Sequence, residues 1–312
     1  MPLETSALLD ALNSPTTIPI IPFKQGQIDY AGHAKNIDYL MRNNRLDNGR
    51  PRVISVAGTS LIHHIEPAEQ TRIFDETGRV MGKAGILMSA IVPNPIGTAG
   101  QLVEAQSKLS RPPDVYLIMP LTGVASPEGV YEAFMHFGQQ YGESCGARFL
   151  YYLRQSSERE IVARLIKDSP HWVGVKVGTN EGDVRPLIEG VGKNGMVIWG
   201  IGDRSTNAAE LGTQGHTSGT AVLCTGICDG INNAQRRGDY ASARQLEAEI
   251  NALEELRFMN GRIYNYSAVV EAMHLSGFAD IEGGEGGPFN PRVPADIAEK
   301  VKAAIEHLAS YH

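Results

Sequence analysis

The sequence predicts an α/β protein, a (β/α)8 TIM barrel with a C-terminal helical extension, and three observations carry that prediction. Eight short runs rich in Val, Ile and Leu are spread over residues 17–223. Most are apolar at consecutive rather than alternate positions, as strands covered on both faces of a parallel sheet must be. Helix-like stretches lie between them, supplying the crossovers that parallel strands need.

In order, the runs are TIPIIPF (17–23), RVISVAG (52–58), GILMSAIV (85–92), DVYLIMP (114–120), RFLYYL (148–153), WVGVKVG (172–178), MVIWGIG (196–202) and TSGTAVL (217–223). The last is the weakest, with small and polar residues. Among the connections, EPAEQTRIFDETGRVMG, SPEGVYEAFMHFGQQYG and SEREIVARLIKD read as helices, the last two opening on a Ser cap followed by acidic residues. Beyond residue 232 the strand signals stop. DYASARQLEAEINALEELRFM, SAVVEAMHL and PADIAEKVKAAIEHLASYH read as three helices, with the Gly/Pro-rich stretch 277–294 as a loop between the last two. The expected division is a barrel carrying the active site over 1–232 and a three-helix extension over 233–312.

The 312 residues hold 28 Lys and Arg against 35 Asp and Glu, a formal net charge of −7, with no basic block. That balance speaks against nucleic acid or an anionic membrane as partner and for a small molecule. The opening MPLETSALLD lacks the basic start and apolar core of a signal peptide, and no apolar run is long enough to span a bilayer. A soluble, cytoplasmic protein is expected. Cys224 and Cys228, four apart in LCTGICDG, suit one face of a helix and read as buried thiols, and the sequon at Asn265 reads as idle.

Lys176 is the one charge in HWVGVKVG, late in the sixth run. In a barrel the ends of the strands form the active site, so its amine would stand in the mouth. Desolvation there favours the neutral amine, which adds to a carbonyl to form a Schiff base. A strand-end lysine can also snorkel to solvent. Its company favours chemistry: Tyr151 and Tyr152 lie on the fifth run, and alternation turns only one of these phenols inward, where it can pass protons. Gly58, Thr59 and Ser60, ending the second run, offer hydroxyl and N–H donors to a carboxylate.

These residues resemble the pyruvate-dependent class I aldolase family that includes dihydrodipicolinate synthase and N-acetylneuraminate lyase. The resemblance extends through IPFKQGQID, GTS, GVKVG, GIGDRS, GTQGHTSG and RRGDYASARQLEAEI, in that order along almost the whole chain. It implies Lys176 as the Schiff-base lysine and Thr59 and Ser60 as holders of a 2-oxo acid carboxylate, with Gly58, Arg154 and Ser218 also at the substrate. A Leu-Tyr-Asn pattern in the family favours Tyr151 as the proton carrier. The Tyr-x-Arg pattern of its sugar-acid dehydratase branch favours Tyr152 with Arg154 behind it, and the reading leans to Tyr152. The resemblance also implies a homotetramer, a dimer of dimers. Phe134 and Phe137 fit either a subunit contact or packing of a helix on the barrel.

Two departures bear on the reaction. Where dihydrodipicolinate synthase resembles Pro-Tyr-Tyr and lends a phenol to its neighbour, this chain has MPLTG, so Leu121 and Thr122 stand without one; and Leu61-Ile62 replaces the Gly-Glu after Gly-Thr-Thr. The expected function is therefore a Schiff-base lyase that reversibly cleaves a 2-oxo-3-deoxy sugar acid or hydroxy-2-oxo acid to pyruvate, or a related acid, and an aldehyde. Alternatives are a sugar-acid dehydratase using the same iminium, a dihydrodipicolinate synthase-like condensation, and a catalytically silent relative that binds a 2-oxo acid. No metal or nucleotide cofactor is expected. His63-His64 with Glu66 lacks helical ligand spacing, EGVGKNG lacks the hydroxyl residue of a P-loop, and GIGDRS lacks the third glycine of a dinucleotide fingerprint. His216 reads as a loop or cavity-wall residue.

Overall fold

The structure, a computed structural model, describes residues 3–312. Eight parallel strands close into a barrel: β1 (Pro15–Thr17), β2 (Val53–Val56), β3 (Ile86–Ile91), β4 (Val115–Ile118), β5 (Phe149–Leu153), β6 (Trp172–Val177), β7 (Met196–Trp199) and β8 (His216–Ser218). Closure comes from β1, which pairs Pro15 with His216 of β8 on one side and Thr16 with Val53 of β2 on the other. Every residue of the eight strands is buried, as both-face coverage demands.

Six of the apolar runs contain their strands with a residue or more to spare, but the first and last do not. The chain leaves β1 at Thr17, and Ile18, Ile20 and Ile21 are buried beyond it, ahead of a small hairpin at 23–28. At the other end β8 stops at Ser218 and the apolar remainder turns into the next helix.

Between the strands run α2 (Tyr30–Arg42), α3 (Pro67–Met81), α4 (Ile96–Ser107), α5 (Pro127–Cys145), α6 (Arg159–Asp168), α7 (Val184–Val191) and the short α8 (Thr206–Glu210), after an unanticipated α1 (Thr5–Leu12) that buries Leu8 and Leu12. Ser126 caps α5, accepting from the Gly129 N–H at 3.2 Å. The Ser cap expected on α6 is absent: a 3-10 turn at Ser156–Glu158 leads in, and Glu158 precedes the helix without a side-chain cap. Phe134 and Phe137 of α5 pack inward. Phe134 meets Trp172 at 5.5 Å and Tyr151 at 5.6 Å between ring centroids, which is helix-on-barrel packing.

After β8 come α9 (Thr225–Arg236), α10 (Tyr240–Arg262), α11 (Ser267–Ser276) and α12 (Ala295–Ile305). A division at 232/233 runs through α9, which belongs to the barrel's outer ring. Arg52, just before β2, pairs with Asp229 of α9 through two contacts of 2.6 and 2.7 Å, both side chains buried. Leu253, Val269, Val301 and their neighbours join Ile20, Val53 and Ile54 in one apolar core, so the extension shares the barrel's interior. Stretch 277–294 includes a two-residue hairpin, Gly286–Gly287 with Asn290–Pro291, beside the one at 23–28. Among the described residues no helix is long and apolar enough to cross a membrane. Cys224 and Cys228 are buried free thiols.

Candidate active site

A cavity of about 470 Å³ opens at the carboxyl ends of the strands. Lys176 rises into it from β6, where only 4% of its surface is exposed. Its backbone neighbours are Tyr152 on β5 and Ile198 on β7. The amine lies 4.1 Å from the centroid of the Tyr152 ring and has no carboxylate within ion-pair distance among the described residues. Burial above all, with the charges of Arg154 and Arg262 adding to it, holds Lys176 below the ordinary lysine value, while Tyr152 opposes. A larger share of neutral amine, the nucleophilic form, is the consequence.

Tyr152 is perturbed in the sense that complements it. Burial pushes the phenol up, but Lys176, Arg154 and Arg262 together outweigh that effect and bring it down to about 8. Arg154, two residues on, donates from Nη1 to the phenolic oxygen at 3.2 Å. An amine shifted down thus faces a phenol shifted down, a pair suited to move protons near neutral pH.

Opposite Lys176 in the ring of eight strands, Gly58 and Thr59 follow β2 and line the cavity. The Thr59 hydroxyl accepts from Asn265 Nδ2 at 3.4 Å, and Asn265 Oδ1 accepts from Arg257 Nη2 at 2.8 Å. Arg257 is in turn paired with buried Glu254.

Three predicted residues lie elsewhere. Tyr151 alternates outward between the barrel and α5, donating to Glu158 at 3.0 Å, and burial with the Glu158 charge raises its phenol; it is not at the cavity. Ser60 is fully buried in the 3-10 turn Gly58–Ser60, where its N–H donates to Ala57 O and its hydroxyl to Pro19 O, leaving no donor for a carboxylate. Ser218 points behind the wall, donating to Asp203 Oδ2 at 3.0 Å and accepting from the Ala221 N–H, while its neighbour Thr217 faces the cavity. His216 is neither a loop nor a wall residue: it starts β8, buried, 3.3 Å from Asp203 Oδ1. His63 does line the cavity and His64 stacks obliquely near Phe289. Among the described residues no three His, Cys, Asp or Glu side chains gather as a metal would require.

Sequence reasoning missed Arg257, Phe258, Arg262 and Asn265, all of which line the cavity from the end of α10 and the turn that follows it. At Met259–Gly261 the backbone leaves helical geometry, and Arg262 follows with φ 75°. The signal was the Asn260-Gly261 pair, a turn dipeptide set inside a helical pattern.

Residues 153–307 match the profile of the Dihydrodipicolinate synthetase family, a span that takes in Lys176 and most of the C-terminal helices. Over 267 residues the chain is 26% identical to the 4-hydroxy-tetrahydrodipicolinate synthase of Pseudomonas aeruginosa, covering 83% of this chain and 86% of that one. It is 25% identical over 271 residues to the enzyme of that name from Nitratidesulfovibrio vulgaris, covering 85% and 89%. The crystal structure of dihydrodipicolinate synthase from Bacillus clausii superposes with a TM-score of 0.84 at 21% identity, over 96% of this chain and 98% of that one. The one from Oceanobacillus iheyensis gives 0.85 at 17%, over 97% and 98%. The profile over residues 153–307, together with sequence relatives and fold along most of the chain, indicates the dihydrodipicolinate synthetase family for this protein.

Proposed function

We propose that the protein is a class I lyase that forms a Schiff base between Lys176 and a 2-oxo acid and cleaves the bond between C3 and C4. The observation that carries this reading is the buried, carboxylate-free amine of Lys176 against the Tyr152 ring in a solvent-open cavity. The substrate's carboxylate sits at Thr59 and Gly58, across the barrel from the lysine. Neutral Lys176 Nζ adds to C2, the carbinolamine oxygen takes a proton from Tyr152, and it departs as water to leave the iminium. The Tyr152 phenolate then removes the proton of a C4 hydroxyl. The C3–C4 pair of electrons moves into a C2–C3 double bond as the iminium becomes an enamine, and an aldehyde leaves. Protonation at C3 and addition of water to C2 release the shorter 2-oxo acid and free the amine. No metal or nucleotide has a part in these steps.

A second reading shares the iminium. The hydrogen bond from Arg154 to Tyr152 fits the Tyr-x-Arg pattern of the dehydratase branch, in which loss of the C3 proton and a hydroxyl replaces cleavage. Condensation of the dihydrodipicolinate synthase kind is less well served, because the loop after β4 offers Leu121 and Thr122 where a phenol would be needed.

The test is intact mass after incubation with pyruvate and cyanoborohydride, beside a Lys176→Ala control. A pyruvate-sized adduct that the substitution abolishes supports the lysine role, and product analysis on 2-oxo-3-deoxy sugar acids then separates aldehyde release from dehydration. If neither pyruvate nor a panel of longer 2-oxo acids leaves an adduct, the lyase and dehydratase readings both fall and a silent binder takes their place.

A further inference from the structure

Resting on the lysine chemistry above, we propose that Arg262 and Arg154 form a second anion subsite, and that the natural substrate is a 2-oxo acid bearing a further anionic group, carboxylate or phosphate, toward its far end. Four cationic side chains line the cavity, Lys176, Arg154, Arg257 and Arg262, and none of the Asp or Glu among the described residues does. Arg257 is answered from behind the wall by Glu254. Arg154 and Arg262 have no carboxylate within ion-pair distance among the described residues.

These two guanidinium groups occupy one side of the cavity. Arg154 follows β5, and Arg262 Nη2 reaches the carbonyl of Gly178, just after β6, at 3.4 Å. A Cβ on Gly178 would stand 2.8 Å from Arg154 Cδ and 2.4 Å from Tyr152 Cε2, so both arginines and the phenol converge on this one backbone position. Gly58 and Thr59 lie across the barrel, at β2. The cavity therefore has two polar ends, donors of neutral charge at one and unpaired positive charge at the other.

A substrate with a single carboxylate held at Thr59 leaves the arginine end with only the Tyr152 phenol to answer two guanidinium charges. The iminium is itself cationic, so Schiff-base formation adds no negative charge to offset the two guanidinium groups. A second anionic group does, and fork-shaped guanidinium donors suit both carboxylate and phosphate oxygens. The presentation of Arg262 is specific too. Asn260, Gly261 and Arg262 all have positive φ, two of them without glycine's freedom, a conformation that persists only where its surroundings hold it. Its result is to turn one guanidinium out of the line of α10 and onto the cavity wall. The volume of about 470 Å³ exceeds what a three-carbon acid fills and leaves room for such a chain.

The experiment compares trapping by cyanoborohydride of three matched acids, 2-oxopentanoate, 2-oxoglutarate and 2-oxo-4-phosphonobutanoate, followed by intact mass. The wild-type protein is expected to reach half-trapping at about tenfold lower concentration with at least one dianion than with 2-oxopentanoate, the effect of one added ion pair. In Arg262→Met, and separately in Arg154→Met should the first fail to fold, that ratio falls to within about twofold of one. The ranking of the two dianions tells carboxylate from phosphate. Equal half-trapping of all three acids by the wild-type protein overturns the subsite, as does an Arg262→Met that weakens all three alike, which would place the guanidinium on the C1 carboxylate. If no acid is trapped, the lysine reading fails, and thermal stabilisation by glutarate against pentanoate decides the subsite by itself. A glutarate preference lost in Arg262→Met upholds it, and equal stabilisation overturns it.

Discussion

Lys176 and Tyr152 are hydrogen-bonded-strand neighbours in register on β6 and β5, and their side chains meet over the cavity floor with the ammonium nitrogen 4.1 Å from the ring centroid. Each stabilises the other's charged form: the lysine charge favours the phenolate, and the phenolate opposes the burial that drives the lysine toward its neutral, nucleophilic form. Removing the hydroxyl alone should therefore separate bond-making at C2 from proton transfer. Tyr152→Phe is expected to keep a borohydride-trappable adduct while turnover of a hydroxy-2-oxo acid falls about 10²–10⁴-fold. Equal loss of adduct and turnover would instead confine the phenol's part to the steps up to the iminium.

The same relationship has a signature in pH. Tyr152 ionises near 8 in place of the usual 10, so phenolate absorbance should rise through one group around pH 8 in the wild-type protein and not in Tyr152→Phe. Arg154→Met and Arg262→Met each remove a charge that favours the phenolate, and the midpoint should move upward in both. Difference absorbance against pH measures it directly.

Gly200, after β7, leaves space that the lysine uses. A Cβ there would stand 2.8 Å from both Cγ and Cε of Lys176 and 2.5 Å from the Val177 carbonyl oxygen, well inside contact distance. Gly200→Ala should displace the Lys176 stem and slow adduct formation at least about tenfold, since small misplacements at a reacting atom cost up to about a hundredfold. Trapping rate against circular dichroism shows whether the loss is local or global.

Breaking the Arg52–Asp229 pair should cost far more stability than a surface ion pair. Both side chains are about 1% exposed, and Asp229 also accepts from the Arg45 N–H at 2.8 Å. Asp229→Ala leaves a buried guanidinium uncompensated, and about 3–5 kcal/mol is expected from the urea midpoint.

Acid should weaken the fold through His33. This residue is fully buried, contacts Thr77 Oγ1 at 2.8 Å, and is pushed by burial down to about 4, against a small opposing effect of Glu76. Its pKa is lower folded than unfolded, so its contribution is complete above about 6.5 and lost as pH falls from there toward 4. The shift corresponds to about 3 kcal/mol. Urea midpoints measured across that window should fall for the wild-type protein and fall less for His33→Gln.

Much of the architecture was legible because strands covered on both faces announce themselves as apolar runs. β1 was misplaced for the converse reason: Thr16 and Thr17 are buried polar strand residues, and Thr17 is satisfied by donating to the Val53 carbonyl at 2.7 Å, so a hydropathy pattern passes over them. In the site, Lys176 was legible as a lone charge in an apolar run; alternation allowed only one inward tyrosine without saying which, and the Tyr-x-Arg pattern tipped the reading to Tyr152. Ser60 and Ser218 misled because a hydroxyl beside a strand end serves nearby protein oxygens as readily as a ligand, which only coordinates resolve. Arg262 gave no comparable signal; its position depends on a break in α10 and on the fold that returns that helix to the mouth of the barrel.

That break in α10 separates two kinds of change the chain can undergo. Tyr152 and Lys176 are fixed in strands β5 and β6, whose residues are all buried, while Arg262 is written 86 residues after Lys176 (262 against 176), at a bend outside the strands. If the proposed subsite holds, substitutions at 257–265 would exchange one far-end group of the substrate for another while the amine and phenol keep their places on the strands. On the proposed function, the barrel would supply the reaction and the returning helix would choose what undergoes it.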